Sequence, residues 1–367
     1  MLFPEEKVRN EVAVMRYISD RSSIPVPFIA HSGTKEDSPL KLSPLIMMSH
    51  IEHTTRSLGQ VGDFTWEVTS RPLSMNMNEL VRLGTLPRSH LPSLDATFKT
   101  ASSYLESLAQ LNIQHLLCQR NDAVQSADDC RWKFVARQLF YKLARGKKLS
   151  LPGYEYGPFK LWCDDFRPAN VLLNEDICIA EVVDWKFTYA ASVEFSYAPP
   201  WWLLIERPKY WSKGIEDWTR VFNCRLKTFL NAMRHCEDMD VEHSQSRLSD
   251  QMQRSWESGD FWVVYAILHS FAFDVIYWQK IDRRFFGPTK ADDPSEAWKE
   301  RLGLLGEHQK DEMEQLVTRK LEKMKDWVLA WDPDEYTEAF RQELMRMREA
   351  KAEDKGSQQA PVAGPHR

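Results

Sequence analysis

Three side chains in the stretch "KLWCDDFRPANVLLNEDICIAEVVDWKF", residues 160–187, have the types and order that phosphate chemistry needs: Asp165, Asn170 five positions on, and Asp184 after fourteen more. Moving a phosphoryl group requires a carboxylate that orients and deprotonates the attacking hydroxyl, and oxygen ligands for a magnesium ion bridging the nucleotide phosphates. Asp165 suits the first role. Asn170 and Asp184, one neutral and one anionic oxygen donor, suit the second. Arg167, between them, reads either as a neighbour of phosphate or substrate or as half of a surface ion pair. The stretch also allows a different chemistry, hydrolysis by the adjacent Asp164 and Asp165 as paired acid and base. Ordinary loop polarity is the third reading.

For the three to converge, the chain around them must fold back. Residues 159–162 form a short apolar run, and "DDFRP" breaks it, which puts Asp165 at the exit of a strand. "VLLN" and "ICIAEVV" are two further β-rich runs around "ED", a hairpin whose far end delivers Asp184.

Ahead of this segment, residues 5–19 repeat apolar positions at Val8, Val12, Met15 and Ile18, the spacing of a helix that "IPVP" then stops. Two short strands at 28–30 and 45–51 flank the turn "HSGTKEDSP". Residues 1–53 thus form a small helix-plus-strand unit, and 54–93, polar and interrupted by Pro and Gly, read as an irregular insertion. Residues 94–353 are expected to form a mainly helical body, with helices at 94–112, 128–145, 216–236, 261–281 and 310–330, and 354–367 a disordered tail.

Composition narrows the partners. The chain has 367 residues, of which 43% are hydrophobic and 12% aromatic, enough to bury one large core or two modest ones. Its 48 basic residues are interspersed among 53 acidic ones, so no stripe exists to neutralise a nucleic-acid backbone. No apolar run approaches the ~20 residues that span a bilayer, and the start of the sequence has no signal-peptide pattern. A cytoplasmic protein is expected. The six cysteines lack the spacing of a metal site.

The motifs resemble those of the aminoglycoside phosphotransferase family, which has a protein-kinase-like fold and includes choline and other small-molecule kinases. "CDDFRPANVLL" followed by "VVDW" is similar to that family's HGD-x-x-x-x-N and I-D-W/F pattern. "KVRNEVAVMRYI" with "IPVP" looks like its first-lobe helix and the strand after it, and "LIMMSHIE" like the strand leading to the adenine-binding hinge. "FSYAPPWWLL" and "SWESGDFWVVYAILHSFAFDVIYWQKID" resemble its fungal branch, so that the likeness runs from about residue 5 to 330. It implies an α+β, kinase-like fold that uses ATP and Mg²⁺ to phosphorylate the hydroxyl of a small-molecule acceptor. Asp165 would be the catalytic base, and Asn170 and Asp184 the metal ligands. Glu11 would pair with a strand lysine, and Met48 and His50 would lie near the adenine.

Two departures qualify that expectation. Cys163 and Asp164 stand where the pattern has His and Gly. A glycine turn over the phosphates and a strand lysine would precede the helix that carries Glu11, yet only ten residues precede Glu11 itself, and Gly33 and Gly59 both follow that helix. Lys7, on the same helix as Glu11, can offer only an i,i+4 contact. The first lobe therefore reads as truncated. Its helix would leave Val8, Val12 and Met15 uncovered unless a second chain, in a homo-oligomer, or an upstream part of a longer protein covers them. A catalytically inactive pseudokinase that binds or scaffolds is the alternative. The acids Glu194, Glu216, Asp217, Asp260 and Asp274 could line a pocket for a cationic acceptor, and Trp201 and Trp202 could wall a pocket or fill the core.

Overall fold

The computed structural model describes residues 2–38, 41, 43–48, 67–120, 123–239, 247–291 and 293–325, together with 342 and 346. The chain is α+β: a mainly helical body carrying, among the described residues, three two-stranded sheets.

Helix α1 (Pro4–Arg21) begins with proline in its first turn, followed by Glu5 and Glu6, and ends on Arg21, the arrangement that a helix dipole favours. Strands β1 (Ile29–Gly33) and β2 (Leu45–Met48) pair antiparallel, with Ile29 opposite Met48 and Gly33 opposite Leu45. Val12 and Met15 are buried and Val8 is half-buried, contrary to the expectation of an uncovered helix face. The cover comes from the chain itself: Val14, Met15 and Ile18 pack on Val182 and Trp185, with Val26, Ile29 and Val171 around them. Each such side chain gains about 1.5–3 kcal/mol from burial, so α1 needs no second chain on this face.

Polar contacts hold α1 more tightly than packing alone. Glu6 and Arg71 form a two-pronged ion pair, Arg71 Nε to Oε1 at 2.9 Å and Nη2 to Oε2 at 2.8 Å, with both side chains buried. Arg71 also donates to the Pro92 carbonyl at 2.7 Å. Lys7 does not turn toward Glu11. Its Nζ donates to Asn78 Oδ1 at 2.6 Å and lies over the Phe187 ring.

Residues 67–93, expected to be irregular, contain helix α2 (Met75–Arg82), capped by Ser74, whose side chain accepts from Met77 N. An eight-residue helix is too short for periodicity to stand out, and its contacts with distant residues stabilise it instead. Helices α3 (Ala101–Cys118) and α4 (Ala127–Arg145) pack on each other. α3 starts seven residues later than the periodicity suggested, because the Thr100 side chain caps it by accepting from Ser103 N; Phe98 packs on Tyr104 from outside the helix.

Strands β3 (Lys160–Cys163), β4 (Val171–Leu173), β5 (Ile179–Val182) and β6 (Thr188–Ala191) lead into the short α5 (Val193–Tyr197). The remaining body comprises α6 (Gly214–Met239), α7 (Leu248–Ser258), α8 (Asp260–Leu268), α9 (Phe273–Ile276), a π-helical turn at Tyr277–Ile281, α10 (Asp282–Phe286), α11 (Ala297–Arg301) and α12 (Glu307–Lys325). α8 is apolar on all sides and buried from Phe261 to Ile267, as a central helix must be. The single helix expected over 261–281 is interrupted after Leu268. Asn76 of α2 takes both polar groups of Ser270, receiving its N–H at 3.3 Å and donating to its hydroxyl at 2.9 Å, so the helical ladder is replaced there by a tertiary contact. Met313 and Val317 of α12 are buried in the main core. The tail at 354–367 and His50 lie outside the described residues.

Removing one member of the Glu6–Arg71 pair leaves a buried charge without its partner. Glu6→Gln or Arg71→Met alone should therefore lose about 3–5 kcal/mol in urea unfolding, and Glu6→Leu combined with Arg71→Met should recover most of that loss. Additive losses in the double variant would show that the pair does not anchor α1.

Candidate functional site

Two strand registers bring the site together. β3 and β6 are antiparallel with Cys163 opposite Thr188, and β4 and β5 form the hairpin with Val171 opposite Val182. The loop 164–170 leaves β3 and enters β4, while 183–187 leaves β5 and enters β6, so the two loops lie alongside each other. Backbone bonds join them at both ends: Asp164 N to Phe187 O at 3.1 Å, and Val183 N to Asn170 O at 3.0 Å.

Within this junction the buried Asn170 donates its amide nitrogen to the Asp165 carbonyl at 2.7 Å. That bond fixes which end of the amide is the nitrogen and leaves its Oδ1 to face elsewhere. Asp184 adopts a left-handed backbone with φ 69°, a conformation that Asp tolerates better than most residues, where the chain turns from β5 toward β6. Burial pushes the Asp165 carboxyl above its usual range; Asp184 adds to the effect, and Arg167, Lys186 and Arg207 oppose it. Arg167 itself lies 3.4 Å from Asp165 Oδ1, an ion pair on the candidate base. Asp165, Asn170 and Asp184 are therefore brought to one place.

Glu11 is bound differently from the expectation. It accepts the Trp185 backbone N–H at 3.2 Å, and burial, reinforced by the nearby Asp184, raises its pKa. The neighbouring Asn10 donates to the carbonyls of Lys186 and Thr188 at 3.1 and 2.9 Å. The first turns of α1 thus clamp the backbone that follows Asp184. Lys186, which sequence reasoning passed over, places its Nζ 2.5 Å from Asp184 Oδ1. The available signal was its position two residues after Asp184 in "VVDWKF". Met48 is exposed on β2, opposite Ile29.

Asp164 turns out to be structural. Oδ2 accepts from Met75 N at the start of α2, at 2.8 Å; Oδ1 accepts from Trp162 Nε1 at 2.8 Å and from the Tyr189 hydroxyl at 2.9 Å. Loss of solvent pushes this carboxyl up to about 6, against the pull of its three donors. Both oxygens are committed to the protein. Cys163 lies beside the Thr188 side chain and the Asp165 N–H, and burial raises its thiol to about 11, far from the reactive thiolate range. All six cysteines are free.

The acids considered for a cationic acceptor all have partners. Glu194 accepts from Leu151 N, Glu216 pairs with Lys280, and Asp217 holds Trp211 and Arg220. Asp260 pairs with Arg284, and Asp274 takes both prongs of the buried Arg137. Trp201 packs on the main core with Arg207 over its ring, and Trp202 meets the Phe229 ring.

Among the described residues no group of three or more His, Cys, Asp and Glu side chains gathers as a metal cage. Magnesium does not need one, since it commonly takes one or two protein oxygens and completes its shell with phosphate and water. Asn170 Oδ1 and the Asp184 carboxylate are the oxygens that would hold such an ion, and Asp184 is paired with Lys186 in its place. Among the described residues no helix is long and apolar enough to cross a membrane. No protein-family profile, curated protein or solved structure matches this chain.

Asp164→Asn turns an amide N–H toward at least one of the three donors and should cost about 1–3 kcal/mol of stability. The folded pKa of Asp164, about 6, lies above its unfolded value of about 4, so the fold favours the protonated form. The associated stability is full below the unfolded pKa and is lost as pH rises through the folded one. The stability gap between wild type and Asp164→Asn, read by urea unfolding at pH 4, 5, 6 and 7, should therefore shrink as pH rises. A gap that widens would contradict this assignment.

Proposed function

We propose that the chain is an ATP- and Mg²⁺-dependent phosphotransferase acting on the hydroxyl of a small molecule, on a protein-kinase-like fold with a reduced first lobe. The observation that carries this reading is the junction of two loops in which Asn170 bonds the Asp165 backbone and Val183, next to Asp184, bonds the Asn170 backbone. In the proposed reaction the acceptor oxygen bonds to the γ-phosphorus of ATP while the bond from that phosphorus to the bridging oxygen breaks, and ADP leaves. The hydroxyl proton passes to Asp165. Its raised pKa makes this carboxylate a better base than a solvated one. Asn170 and Asp184 would hold magnesium, which when bound offsets charge on the phosphates. Lys186, released from Asp184, is the cation this site offers to a phosphate oxygen.

A second reading, a nucleotide-binding or scaffold protein without turnover, is favoured by one specific feature. Glu11 is occupied by the Trp185 N–H and Asp184 by Lys186, an arrangement complete without a metal. Hydrolysis by an Asp164–Asp165 pair has the least support, because both Asp164 oxygens are used inside the protein.

At a hundredfold excess over its dissociation constant, MgATP should stabilise the wild type by about 2.7 kcal/mol, and Asp184→Ala should abolish the magnesium-dependent part. Asp165→Asn should reduce transfer by at least ~10²-fold with ATP affinity changed only a few-fold. Stabilisation by MgATP with no transfer to any of a panel of alcohols would select the scaffold reading. Failure of MgATP to stabilise the protein at all would remove both.

A further inference from the structure

A small cleft is lined by Glu79, Arg207, Lys209, Tyr265, His269 and Phe271, and the charge of Arg207 reaches Asp165. The break in the helix after Leu268 creates one wall, since it sets His269 and Phe271 off the axis of α8. α2, held to the same break through Asn76 and Ser270, supplies Glu79.

Two donors in this cleft lack acceptors. Tyr265 is 3% exposed, and its hydroxyl has no hydrogen-bond partner among the described residues. A buried hydroxyl left unpaired costs about 1–3 kcal/mol, so an orphan here calls for an explanation. The Arg207 guanidinium lies 4.9 Å over the Trp201 ring and makes no hydrogen bond or ion pair with any described residue. Held by its face, it keeps its in-plane N–H groups available. The other polar groups are accounted for. Lys209 donates to the Phe271 carbonyl and feels the charge of Glu79, which it offsets. His269 bonds the Tyr265 carbonyl through Nδ1, stacks on the Tyr265 ring at 4.1 Å, and is kept neutral by burial, which brings it down to about 4.

The group that satisfies an unpaired guanidinium and an unpaired hydroxyl together is an anionic acceptor. Size selects among anions. The open cleft offers ≈ 30 Å³ to water-sized groups, and one such group needs about 10–15 Å³, room that suits the two oxygens of a carboxylate. Position supplies the last constraint: the charge of Arg207, which lines this cleft with Tyr265 and His269, also reaches Asp165.

We propose that this cleft binds the carboxylate of the acceptor through Arg207 and the Tyr265 hydroxyl, so that the acceptor is a hydroxy acid whose hydroxyl is presented to Asp165. The acceptor role rests on the phosphotransferase reading; carboxylate binding does not. Of the acids considered for a cationic acceptor, Glu216, Asp217, Asp260 and Asp274 are already paired with cations, which points the same way.

The test uses the full chain and a panel of aliphatic and aromatic hydroxy acids, each matched with its methyl ester and with the corresponding amino alcohol. In calorimetric titrations without ATP, at least one hydroxy acid should bind tenfold or more tightly than its ester and amino alcohol. Arg207→Gln should weaken that binding by about tenfold or more. Tyr265→Phe, which removes an unbonded buried hydroxyl and should therefore raise the melting temperature, should weaken it several-fold. Equal binding of ester and acid, affinity unmoved in Arg207→Gln, or no hydroxy acid bound at all overturns the proposal. Assaying the same panel for ATP-dependent phosphorylation separates the two claims. Arg207-dependent carboxylate binding without phosphorylation keeps the subsite and refutes phosphotransfer. Phosphorylation confined to esters or amino alcohols keeps phosphotransfer and refutes the subsite.

Discussion

Two-stranded sheets are marginal by themselves, and the site is built on two of them, so everything depends on what holds β3–β6 and β4–β5 in place. The Asp164 carboxylate is central to that. By accepting from Met75 N, Trp162 Nε1 and the Tyr189 hydroxyl it ties α2 to β3 and β6 at a single point, one residue before the candidate base. A glycine at this position could make none of these bonds. The charged side chain offsets the weakness of the sheets at the cost of desolvating an acid, which is why its pKa rises.

α1 supplies the second restraint. Its Glu6–Arg71 pair fastens it to the body, and Asn10 and Glu11 then grip the backbone of residues 185–188 from above. Glu11 thus acts on the loop after Asp184 directly instead of through a lysine. The apolar side of the same helix closes over Trp185 and the hairpin. One helix therefore both covers the second, smaller core and positions the chain on either side of Asp184.

The charges in the site follow from these restraints. Glu11, Asp165 and Asp184 share one neighbourhood, and each of the first two is driven upward by burial and by the field of Asp184. Lys186 and Arg167 hold that negative charge in check. The charge of Arg207, which lies over the Trp201 ring, reaches the same Asp165 carboxyl.

Much of the local structure was legible in the sequence because it depends on neighbours in the chain. The apolar spacing of α1 and α4, the hairpin around "ED" and the order Asp165, Asn170, Asp184 all follow from local propensity and turn chemistry. Where distant groups compete for the backbone, the sequence was silent. α2 exists in a polar stretch because Asp164, 89 residues away, receives its first N–H. The helix after Leu268 breaks because Asn76, 194 residues away, captures Ser270. Glu11 acquires its partner, the Trp185 N–H, only when α1 lies over β6. Sequence by itself determined which side chains could do the chemistry and the turns that deliver them. Tertiary structure alone decided which charges would be paired and which left open, because pairing depends on distances through space that residue spacing does not encode.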